Sequence, residues 1–97
     1  MVKNLDIELK NLDKTLLKTE DEKVFTIKEA VTQALIIAKE EGKVDGEASY
    51  KRYKLANKLF AGGEQELTPE ELVLIKRMVA LVYSPLVIGQ VYDWADE

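Results

Sequence analysis

Apolar and charged residues alternate through Leu5-Asp6-Ile7-Glu8-Leu9-Lys10, a period of two that places Leu5, Ile7 and Leu9 on one face of a half-buried strand. Asn11 to Lys14 supplies turn chemistry, Thr19 to Lys23 is a polar loop, and Val24-Phe25-Thr26 is β-prone. A β-hairpin over about residues 4–26 follows, with Thr15 to Lys18 as a candidate addition to its second arm. A hairpin of this size is marginal alone in water, so its apolar face must rest on other elements.

From Thr26 the period changes to that of a helix. Thr26-Ile27-Lys28-Glu29 fits a capping box, and Ile27, Ala30, Val31, Ala34, Leu35 and Ala38 recur at helical spacing up to Gly42, a candidate left-handed cap. The first helix is predicted over about 27–41. A second apolar series, Ala48, Tyr53, Ala56, Leu59 and Phe60, predicts a helix over 47–61 that stops at Gly62-Gly63. Thr68-Pro69-Glu70-Glu71 joins a capping threonine, proline at the first helical position and acids in the first turn. The helix it opens, over 69–83, is apolar on more than one stripe, which suits a central position. Ser84-Pro85 repeats the start signal for a last helix over 85–95. The pattern as a whole predicts an α+β, mainly α, fold in one domain over residues 1–97, without internal repeats.

Length and composition narrow the function. A chain of 97 residues buries roughly 60–65% of its unfolded surface, enough for one modest core. It has no cysteine and no histidine. That removes disulfides, thiolate nucleophiles and the commonest general base and metal ligand. An intracellular, non-enzymatic protein without cofactor or metal is the expectation. No apolar run reaches the roughly 20 residues that span a bilayer, so no membrane role is expected. The carboxylate pairs Glu40-Glu41, Glu70-Glu71 and Asp96-Glu97 read as helix-end acids. The loop from Glu40 to Glu47 lacks the ligand spacing of a calcium loop and reads as an interhelical turn.

Two surfaces are candidates for partner binding. Lys51, Arg52, Lys54 and Lys58 form a basic stretch free of acids on the second helix, suited to phosphates or to an acidic protein, or simply solvated. The net charge of −4 argues against non-specific nucleic-acid binding. The second candidate is the apolar surplus of the last two helices, with Tyr83, Leu86, Val87, Tyr92 and Trp94 as interface residues or as plain core.

The succession Leu5 to Asp13, Phe25 to Ala30, Tyr50 to Ala56 and Leu67 to Leu72, closing on Tyr83 to Val91, resembles small, mostly uncharacterised proteins encoded by tailed bacteriophages and prophages. The resemblance implies a bacterial cytoplasmic setting and regulatory or accessory work on a phage or host factor. Taken together, the expected function is protein-protein interaction with such a factor or with a second copy of the chain; the alternative is a nucleic-acid-binding regulator using the basic face of the second helix.

Overall fold

In the computed structural model, which describes residues 1–40 and 45–97, the elements follow in the order β1 (Val2–Asn4), α1 (Ile27–Ile37), α2 (Gly46–Phe60), β2 (Glu64–Glu66), α3 (Pro69–Val82) and α4 (Pro85–Asp96). The fold is α+β and mainly α, as the periodicities predict. Three helix starts fall where the sequence puts them. Thr26 accepts a bond from the Glu29 N–H at 3.3 Å, the forward half of a capping box. At Thr68 both halves form, with Glu71 bonded back to the Thr68 N–H. Ser84 occupies the cap position of α4 without a side-chain bond, so Pro85 alone marks that start.

The end of α1 differs from expectation. The helix stops at Ile37, with Ala38 already extended, four residues before the predicted limit of 41. The predicted glycine cap at Gly42, and most of the Glu40 to Glu47 turn, lie outside the described residues. Arg52 provides the physical reason for the earlier stop: its Nε donates to the Leu35 carbonyl at 2.9 Å and its Nη2 to the Ala38 carbonyl at 2.6 Å, satisfying oxygens that a further turn of helix would have used.

The N-terminal region is antiparallel, with Glu8 bridged to Thr26, and the intervening arm turns it into a closed ring. Leu9 donates to the Phe25 carbonyl, Phe25 to Leu17 and Leu17 to Leu9, at 2.8 to 2.9 Å. These three residues stand eight apart in sequence. The two connecting turns are alike: Asn11 pairs with Thr15 and Thr19 with Lys23, and a non-glycine residue takes the left-handed conformation in each, Lys14 at φ 72° and Glu22 at φ 61°. An eight-residue structural repeat is thus present, and it corrects the expectation of no internal repeat: Leu9-Lys10, Asp13 and Leu16 recur eight positions on as Leu17-Lys18, Asp21 and Val24. The regular two-stranded sheet is built elsewhere, by β1 against β2 in the register Val2 to Glu66, Lys3 to Gln65 and Asn4 to Glu64. Acidic Glu64-Gln65-Glu66 had no strand signature.

One core joins these parts. Leu5, Leu9, Ile27, Val31, Leu35, Leu59, Leu67, Ile75, Met78, Val79 and Val91 are almost fully buried. The helix at the centre is α1, packed on α2, α3 and α4, whereas α3 packs on α1 and α4. Ala30 and Ala34, four residues apart on α1, and Ala38 just past its end lie buried within this core; small side chains in such a row permit close helix approach. Truncating a buried leucine such as Leu59 to alanine costs about 2–5 kcal/mol.

Candidate functional site

Three faces of α2 have different fates. Leu55, Ala56 and Leu59 are buried against the core. Lys51, Lys54 and Lys58, at offsets of three and four, run along a second face. Tyr50, Tyr53 and Phe60 stand on a third, and here the structure corrects the sequence, which assigns Tyr53 and Phe60 to the buried stripe. Tyr53 exposes 58% and Phe60 67% of its surface. Both apolar series have helical spacing; only the docking of α1 decides which becomes core.

The exposed aromatics border a groove of about 350 Å³ between α1 and α2, lined by Thr32, Gln33 and Ile36 on one side and Tyr53, Asn57 and Phe60 on the other, with buried Ala56 between them. Ile36 is 66% exposed. Tyr50 stacks on Tyr53 with ring centroids 6.5 Å apart, Lys54 Nζ lies 5.3 Å from the Tyr50 ring, and Lys28 Nζ lies 5.0 Å from that of Phe60. The result is an apolar strip held in place by stacking and flanked by a cation at each end. Exposed aromatic and aliphatic side chains clustered in this way are of the kind that protein interfaces use.

The basic stretch divides on inspection. Arg52 serves the end of α1, as described above. Lys58 donates to the Glu66 carbonyl at 2.8 Å and lies 3.4 Å from the Glu71 carboxylate, which ties it to the β2–α3 corner. Lys51 and Lys54 remain exposed on the rim of a second groove, between α2 and α3, whose other wall carries Glu70 and Glu71. Cations and anions face each other across it, so its field is mixed rather than uniformly basic.

The C-terminal candidates lie mostly inward. Val87 and Trp94 are buried at 6% and 4% exposure. The Trp94 indole N–H donates to the Asn4 carbonyl at 2.8 Å. Tyr83 packs edge-on against Phe25, centroids 5.9 Å apart. Burial, with a smaller contribution from the Glu29 charge, pushes its phenol up from 10.0 to about 12. Tyr92 is half-buried under Lys76, and Leu86 is half-buried beside the Asn11–Thr15 turn. The apolar surplus of the last two helices is therefore spent mainly on the core, and what remains exposed of it is on α3, at Val73 and Leu81.

Several acidic groups serve structure. Glu71 closes a cap, Glu40 pairs with Arg77 at 2.7 Å and Asp96 with Lys76 at 2.8 Å. In the first turn of the ring, bonds from the Thr15 hydroxyl and then its backbone N–H hold the Asp13 carboxyl below its usual range. Among the described residues no three His, Cys, Asp or Glu side chains converge as a metal site, and no helix is long and apolar enough to cross a membrane.

Fold and surface together define a small α+β, mainly helical protein with an exposed aromatic groove between α1 and α2. Compared with known proteins, the chain matches no family model, no curated protein and no solved structure.

Proposed function

We propose that this protein is a non-catalytic accessory or regulatory protein of the phage type, acting in the bacterial cytoplasm by binding a protein partner in the α1/α2 groove. The observation that carries the reading is the clustered exposure of Ile36, Tyr53 and Phe60 around one groove. Aromatic side chains of this size supply much of the binding energy in protein interfaces. The carboxylates occupied in caps and ion pairs, and the mixed field of the α2/α3 groove, favour binding over chemistry.

A nuclease-treated pull-down from bacterial lysate tests it, comparing the wild type with the I36S/Y53S/F60S triple variant. Because the three side chains are largely exposed, the variant stays folded. A protein captured by the wild type and lost by the variant supports the reading; identical capture by both sinks it. The second reading, nucleic-acid binding, draws on Tyr50 and Tyr53 as stacking surfaces beside Lys51 and Lys54. It is weakened by the structural employment of Arg52 and Lys58. Its mark is capture abolished by nuclease and an affinity that falls steeply with salt.

A further inference from the structure

The outer stripe of α3 consists of Glu70, Val73, Arg77 and Ala80, flanked by Leu74 and Leu81. Its middle and end are open, with Val73 61% and Leu81 51% exposed, while Glu70 and the half-buried Leu74 stand at its edge on the wall of the α2/α3 groove. Its charges are ordered. Glu70 and Arg77 are two helical turns apart, and Val73 and Leu74 lie midway between them. Read in reverse, the sequence acid, apolar, apolar, base is its own complement. A two-fold axis between Val73 and Leu74 therefore sets each Glu70 against Arg77 of a second copy and each Val73 against Leu74 of that copy. We propose that the chain associates with itself through α3, as an antiparallel two-fold dimer built on these contacts.

Both charged groups are available for the pairing. Glu70 has no ion-pair partner within 4.0 Å among the described residues, and Glu40 engages Arg77 through Nε at 2.9 Å and Nη2 at 2.7 Å, leaving Nη1 for a second carboxylate. Antiparallel helices also set their dipoles favourably. A two-fold interface uses one patch twice, so self-complementarity is its requirement, and a different partner would impose none. One helix face covers less than the ~800 Å² per partner of a standard interface, which places the dimer among small, transient interfaces, to be sought at protein concentrations of roughly 10 µM to 1 mM.

Sedimentation equilibrium over that concentration range tests the proposal. The wild type is expected to move from monomer to dimer. E70R sets cations against cations and R77E sets carboxylates against carboxylates, so each weakens association by about tenfold or more. An equimolar mixture of the two variants restores both ion pairs and associates as heterodimer with wild-type strength. Circular dichroism confirms that each variant is folded, and the I36S/Y53S/F60S variant, altered in the α1/α2 groove and not on α3, dimerises normally. A wild type that stays monomeric throughout overturns the proposal. So does a dimer that both single variants retain, or a mixture of folded variants that fails to associate.

Discussion

Lys51 and Arg52 are neighbours in sequence and carry the same charge, yet only Arg52 is part of the fold. Its guanidinium spans two carbonyls at the end of α1, a geometry the ammonium of a lysine does not reproduce. R52A is expected to cost about 2 kcal/mol and to lower Tm by roughly 10 °C. K51A and K54A stay within about 0.5 kcal/mol of wild type, and thermal melts separate the two outcomes. Nothing in the sequence distinguishes these cations, because the distinction depends on where a different helix ends. Tyr83 belongs to the same scale. Its folded-state value of about 12 lies above the ordinary 10.0, so the neutral phenol stabilises the fold fully below pH 10, and that contribution is lost as pH rises toward 12. Y83F, which has no proton to lose, is expected to show a shallower alkaline decline in denaturant midpoint across that window.

At the scale of elements, local chemistry was legible wherever the signal lay within one turn. Thr68-Pro69 and Ser84-Pro85 each state a helix start in two residues, and the structure starts α3 and α4 there. The ring of Leu9, Leu17 and Phe25 was harder to read: Leu9-Lys10 and Asp13 do recur as Leu17-Lys18 and Asp21, but each ring member bonds to a residue eight or sixteen positions away, beyond the reach of a signal within one turn. The left-handed residues in those turns offer a direct check. An L-residue in that region costs about 1 kcal/mol or more, partly offset by the greater freedom of glycine in the unfolded chain. K14G and E22G are each expected to stabilise by about 0.5 kcal/mol. E20G, in the same turn as Glu22 but without the positive φ, is expected to destabilise. Chemical denaturation midpoints for the three variants decide the matter.

Across the whole molecule, the two apolar stripes of α2 show why surface and core could not be assigned from the chain alone. Ala56 and Leu59 are as apolar as Tyr53 and Phe60; the first pair is covered because α1, rich in alanine, approaches on that side, and the second pair lies at the edge of the same contact. The aromatic groove is thus a product of helix placement. The link between the ends of the fold is of the same kind. The Trp94 indole holds β1 through the Asn4 carbonyl, and Lys3, itself buried, donates to the Glu97 carbonyl. W94F removes the indole donor and leaves a small cavity, at an expected cost of about 2–3 kcal/mol. Hydrogen exchange in that variant is expected to quicken first at the β1 and β2 amides, whereas equal acceleration in α1 would show that Trp94 supports the whole core instead.

Residues 2–4 also have a place in time. The carbonyl that receives the Met1 amine, on Leu67, is synthesised 66 residues later, and the indole that holds Asn4 is 90 residues away. On a translating ribosome the β1 segment must therefore wait, its backbone unpaired, while α1 and α2 emerge and begin to pack. Only when α4 clears the exit tunnel does every partner of β1 exist, so β1, made before the four helices, can complete its contacts only after them.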